Sequence, residues 1–185
     1  MQGLLTAIWL FLTLGLQIFQ PAVPPAPLSV YEVYRRTQSH EFDRLIVAAA
    51  ETWRIDPFLF KGLLWIESGI GLRLINPKSG AAGIPQFTKS GRQGVTNIRK
   101  ARGLNEPLTY EDCLVPEKAL PAAAELLSYL VSRWGRDYGL ASYNGGKDKH
   151  NFALRVLRQA NRYRTESGLP PLPAPRKKKP PLPTS

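Results

Sequence analysis

A chain of 185 residues with 43% hydrophobic side chains has room for one domain with a buried core and is too apolar for wholesale disorder. The net charge of +11 suits an acidic partner such as an anionic wall polymer or lipid. The clearest basic run is confined to Arg176–Lys179 and the other cations are scattered as on solvated helix faces, so no nucleic acid is expected. Cys113 is the single cysteine, which excludes an intrachain disulfide and a thiolate metal cluster. His40 and His150 lack the close spacing with carboxylates that a zinc helix shows, so neither metal nor cofactor is expected.

Residues 4–19 are apolar apart from Thr6, Thr13, Gly15 and Gln17, the pattern of a signal-peptide core or a short membrane anchor. We expect residues 1–20 to serve as one or the other. No basic residue precedes the run, and the prolines that follow offer no clean small-x-small cleavage site. Pro21, Pro24, Pro25 and Pro27 make residues 21–28 a stiff spacer. The folded domain is expected over 29–166, followed by a disordered basic proline-rich tail over 167–185.

Within the domain, Leu45, Ile46, Ala49, Ala50 and Trp53 recur at helical spacing from Phe42 onward. Asp56 and Pro57 then form an N-cap and first-turn pair that opens a second, almost wholly apolar helix ending at Glu67, Ser68 and Gly69. From Gly69 to about Val95 the helical period is lost among Gly, Asn, Pro and Ser, which reads as an ordered loop. A further helix is predicted over about 118–134, with Pro121 in its first turn or at a kink. A short helical turn near Tyr138–Ala141 and a last helix carrying Phe152, Val156, Leu157, Ala160 and Tyr163 complete a mainly α domain with no convincing strand alternation.

Glu67 is the most informative residue. A carboxyl in the last turn of a buried helix meets the negative end of the helix dipole and apolar neighbours, and both raise its pKa. An acid still protonated near neutral pH can donate a proton to a leaving oxygen, as a carboxyl raised to about 6 by an apolar pocket does in glycoside cleavage. On position alone Glu67 also fits a surface residue at a helix end capped by Gly69. Tyr143-Asn144-Gly145 reads equally as a turn, Ser68 as a helix cap and Gln86 as a turn residue. Trp65, Trp134 and Tyr138 lie on apolar stripes and are expected to pack in the core rather than stack on sugars.

Three segments occur in order: Glu67-Ser68-Gly69, then Gly83-Ile84-Pro85-Gln86, then Ala141-Ser142-Tyr143-Asn144-Gly145-Gly146. With the helix from Pro116 to Gly135 and its PExA and RWG ends, they resemble the lytic transglycosylase SLT domain over about Phe42–Arg164. Pro85 stands where that family has methionine, and Phe152 where a tyrosine is often found. The resemblance implies a lysozyme-like single domain acting on peptidoglycan glycan strands. It implies that Glu67 protonates the oxygen leaving muramic acid C1 and then takes the proton of the C6 hydroxyl, which closes a 1,6-anhydro ring. It also implies Tyr143 as the partner that orients this acid, and Ser68, Gly83, Ile84, Gln86 and Asn144 as substrate contacts.

Ordinary glycoside hydrolysis needs a second carboxylate about 5–9.5 Å from the first. No such residue is visible in the three segments. The sequence therefore leads us to expect an exported, monomeric enzyme of the periplasm or cell envelope, with residues 4–19 as a possible membrane anchor. A hydrolase of the same fold and a non-catalytic wall-binding scaffold are the alternatives.

Overall fold

The computed structural model describes residues 27–145 and 148–175. The apolar run, most of the proline spacer and the Arg176–Lys179 run lie outside the described residues. Helices are α1 Val30–Thr37, α2 Asp43–Thr52, α3 Pro57–Ser68, α4 Lys89–Ala101, α5 Tyr110–Leu114, α6 Pro116–Trp134, α7 Arg136–Asn144 and α8 Lys149–Glu166. Two short antiparallel strands, β1 Ile75–Asn76 and β2 Ala81–Ala82, pair Ile75 with Ala82 and Asn76 with Ala81. Among the described residues no helix is long and apolar enough to cross a membrane.

Helix α3 runs through the middle of the domain. Asp56 accepts from the amides of Phe58 and Leu59, Pro57 fills the first helical position, and Gly69 ends the helix in the left-handed conformation. Every residue from Pro57 to Leu64 is buried, including Lys61. Its broadest partner is α8. At Gly62 a methyl group would lie 2.9 Å from the Ala160 amide nitrogen and 3.0 Å from the Val156 carbonyl, so only glycine lets the two backbones meet. In this antiparallel pairing the end of α3 bearing Glu67 faces the beginning of α8.

A buried polar knot ties the other end of α3 to its neighbours. Lys61 contacts Asp43 of α2 at 2.8 Å and donates to Gln38 at 2.8 Å. The Tyr34 hydroxyl of α1 donates to the same carboxylate. The ammonium also lies 5.6 Å from the ring centre of Tyr34 and 5.1 Å from that of Tyr163 on α8. Four helices thus converge on one buried charge pair.

Several elements differ from the sequence expectation. Ser29 and Glu32 form a capping box that starts α1, and Thr88 caps α4, a helix within and beyond the stretch read as loop. Helix α6 begins at Pro116, and Pro121 lies inside it, leaving the exposed Glu117 carbonyl to solvent. Helix α7 is longer than the predicted turn. Residues 168–175, expected to begin the disordered tail, run along the domain instead. Asn161 accepts from the Leu172 amide at 2.7 Å, Arg164 donates to the Pro170 carbonyl at 2.8 Å, and Arg136 to that of Pro173 at 2.7 Å. Proline cannot donate, but its carbonyl still accepts, and these side chains exploit that.

Candidate active site

Glu67 lines a cavity of about 530 Å³ together with Asn76, Ser79, Gln86, Phe87, Thr88, Ser90, Tyr143 and Asn144. The walls come from the end of α3, the β1–β2 loop, the start of α4, the middle of α6 and the end of α7. Burial pushes the Glu67 carboxyl up to about 8, with the Arg155 guanidinium of α8 opposing the shift. Among the described residues its carboxyl makes no hydrogen bond, yet no buried side-chain polar atom is left without a partner. The unpaired carboxyl therefore borders the open space of the cavity rather than sealed core. No other carboxylate lines that cavity among the described residues.

Tyr143 enters from the last turn of α7. Burial, followed by the charge of Glu67 and then that of Cys113, holds its phenol well above the ordinary range, so it remains protonated. Its hydroxyl donates to the Pro85 carbonyl at 3.4 Å rather than to Glu67. The expected direct hydrogen bond between the two is absent, because the loop carbonyl takes the phenol proton. Both groups nonetheless face one cavity.

Gln86 has a positive φ of 53° and donates its amide to the carbonyls of Arg73 at 3.0 Å and Gly83 at 2.9 Å. Its nitrogen thereby clasps the loop, and the amide oxygen remains for a ligand. Gly83 has a φ of 76°, and a methyl group there would lie 1.7 Å from the Cys113 carbonyl of α5. Glycine is needed for both the turn and the close approach.

The three segments do not converge completely. Glu67, Gln86, Tyr143 and Asn144 share the cavity, whereas Ser68, Gly83 and Ile84 do not line it. Ser68 is fully buried, and its hydroxyl accepts from the Gly71 amide at 3.0 Å, so it serves as the cap that position also allowed. Ile84 is 1% exposed in the core. Phe152 is buried too, as an apolar ring in place of a sugar contact. Trp65, expected in the core, is 41% exposed, while Trp134 and Tyr138 are half-buried. Asn76, Ser79, Thr88 and Ser90 are polar wall residues that sequence reasoning did not select as contacts; the Gly and Ser-rich loop was the available signal. Arg155 carried none, being 88 positions from Glu67 by subtraction.

A larger cavity of about 610 Å³ lies along α1 and α2. The buried carboxylate in its wall, Asp43, is consumed by Tyr34, Lys61 and the His40 amide, and the other acid there, Glu41, is exposed to solvent. The cavity holding Glu67 is therefore the chemically competent one.

A helical domain with one unpaired carboxyl in a cleft beside a small β-loop defines a lysozyme-like class of protein. Residues 44–165 match the Transglycosylase SLT domain, and the chain belongs to that family. Comparison with curated proteins and with solved structures gives no match. Membership carries the general lytic transglycosylase assignment and peptidoglycan as the substrate class.

Proposed function

We propose that this protein is an exported lytic transglycosylase that cleaves the β-1,4 bond between N-acetylmuramic acid and N-acetylglucosamine and leaves a 1,6-anhydro-muramic acid end. The observation that carries this reading is the single carboxyl among the described residues lining the cavity, with its pKa raised to about 8 by burial. Protonated at neutral pH, Glu67 donates to the glycosidic oxygen as the C1–O bond breaks. The resulting carboxylate then accepts the C6 hydroxyl proton while that oxygen bonds to C1. Atoms balance without water, and Glu67 ends protonated again. An attacking group held on the same sugar has a large effective molarity, so one carboxyl suffices where a hydrolase needs two.

Tyr143 and Asn144 border the reacting sugar, and Gln86 offers its amide oxygen to a substrate N–H or hydroxyl. The phenol of Tyr143 stays neutral and does not compete for the proton of Glu67. Residues 4–19 serve export or anchoring, and the protein acts as a monomer in the envelope.

Digestion of isolated sacculi with the full chain, followed by mass spectrometry, tests the reaction. Anhydro-muramic products are expected; products heavier by one water identify a hydrolase, and binding without cleavage identifies a scaffold. Glu67→Gln is expected to lower the rate by about 10²-fold or more while retaining the fold.

A further inference from the structure

Beyond α8 the chain turns at Gly168, whose φ is 76°, and then lies extended against α7 and α8. Exposure along this stretch has a period of three: Leu169, Leu172 and Pro175 are half-buried, whereas Pro170, Pro171, Pro173 and Ala174 are exposed. Leu169 and Leu172 pack against the core. The Leu169 amide donates to the Arg164 carbonyl at 2.8 Å, and beyond it the segment makes no backbone-to-backbone hydrogen bond among the described residues. A three-residue period without main-chain pairing is the signature of a polyproline II helix, in which residues i and i+3 share a face.

The receiving face matches that period. Arg164 donates to the Pro170 carbonyl at 2.8 Å, and Arg136 donates to the carbonyl three residues on, that of Pro173, at 2.7 Å. Between them Asn161 clasps Leu172 twice, accepting from its amide at 2.7 Å and donating to its carbonyl at 3.4 Å. Both guanidinium groups are held by carboxylates, Arg164 by Asp56 and Arg136 by Asp137 at 2.7 Å, so the donors are oriented without help from the segment. These bonds read the backbone path, and the packing of Leu169 and Leu172 reads side chains. Pro180-Pro181-Leu182-Pro183 repeats the sequence of Pro170–Pro173, but Lys179 and Ser185 stand where the docked copy has Leu169 and Pro175, so the repeat keeps only the central inward residue. Arg136, Asn161 and Arg164 do not line the cavity of Glu67.

We propose that the face of α7 and α8 bearing Arg136, Asn161 and Arg164 is a recognition site for a proline-rich segment of a partner protein, and that residues 169–175 are its displaceable intramolecular occupant. The seated segment shows the ligand class: an extended chain with Leu or Pro at every third position and accepting carbonyls three residues apart. Displacement follows from how lightly the segment is held. None of residues 169–175 is fully buried, and beyond Leu169 the domain holds their backbone through side chains alone among the described residues. Gly168 is a hinge with open space around it, since a methyl group there would meet nothing within 4 Å. Such a segment opens locally without unfolding the domain. A partner segment of the same pattern gains the same contacts and has to outcompete the effective concentration of a tethered tail, on the order of millimolar.

The test is fluorescence anisotropy with a labelled peptide of the 168–175 sequence and the full chain bearing Leu169→Ser and Leu172→Ser, which free the site. This chain is expected to bind the peptide at least about tenfold more tightly than the wild type, whose own tail competes. Adding Asn161→Ala, which removes the two-way clasp, is expected to weaken binding by about tenfold or more, and so is replacing the peptide by one of the 178–185 sequence. In the unmutated chain the Leu172 amide is expected to exchange with deuterium at least about a hundredfold faster than the core amide of Leu63. Absence of peptide binding by the freed chain, an affinity that Asn161→Ala leaves unaltered, or equal affinity for the two peptides overturns the proposal. So does protection of Leu172 equal to that of Leu63, which makes the segment a permanent brace of the fold. A wild-type dimer that the two serine substitutions dissociate also overturns it, by assigning the site to the tail of a second copy.

Discussion

Glu67 concentrates opposing demands in one side chain. In the proposed role it must lose enough water to keep its proton near neutrality, yet stay open to a substrate, and its position at the end of α3 beside the cavity suits both. With the carboxyl pushed up to about 8, activity on sacculi is expected to fall along an alkaline limb near pH 8, read from kcat/KM against pH. Because the Arg155 cation favours the carboxylate, Arg155→Gln is expected to move that limb to higher pH. Stability has a definite sign too. The folded pKa lies above the unfolded one, so the folded chain holds the proton more tightly, and stability is lost as pH rises from the ordinary carboxylate range through about 8. Glu67→Gln cannot ionise; its melting temperature is expected to exceed the wild type's by roughly 4 °C or more at pH 9 and by much less at pH 5. The sequence made this pKa direction legible because the apolar run and the helix end are local features. It left the roles of Ser68 and Gln86 open, since whether a hydroxyl or amide faces a ligand or its own backbone depends on where the loop folds.

At the scale of elements, the loop bordering the cavity is shaped by a neighbour distant in the chain. The Gly83 amide donates to the Leu74 carbonyl at 2.7 Å on one side, and the Cys113 carbonyl presses its Cα on the other. Gly83→Ala would drive a methyl into α5 and strain a positive φ. It is expected to cost at least about 2 kcal/mol, seen as a melting temperature lower by roughly 4–8 °C, and to reduce cleavage by displacing Gln86 and Pro85. Helix α3 was readable to its caps, because Asp56, Pro57 and Gly69 act within a turn of themselves. Helix α4 was not: Gly91 and Gly94 weaken its propensity, and Val95 and Ile98 are too few to display a period. Its stability comes from packing on α6 and from Arg99 and Arg102 pairing with the buried Glu125 at 2.9 and 2.7 Å.

Over the whole molecule, α3 is held at one end by the Lys61 knot and presents Glu67 at the other. Removing one partner leaves the other as an uncompensated buried charge. Lys61→Met is therefore expected to lose about 3–5 kcal/mol in urea denaturation, whereas Lys61→Met with Asp43→Leu is expected to recover part of that loss. The bound segment 168–175 adds a second constraint by joining α8, through Asn161 and Arg164, to Arg136 at the start of α7. Since Tyr143 sits at the other end of α7, both cavity residues extend from elements fixed at their far ends. Sequence alone determined that this chain is helical, that Glu67 ends an apolar helix, and that its motifs resemble those of a peptidoglycan-acting family, because each depends on local period, caps or residue order. Tertiary structure decided which motif residues reach the cavity and the absence of a second carboxyl among its described lining residues. Those depend on contacts between segments tens of residues apart, which no local pattern encodes.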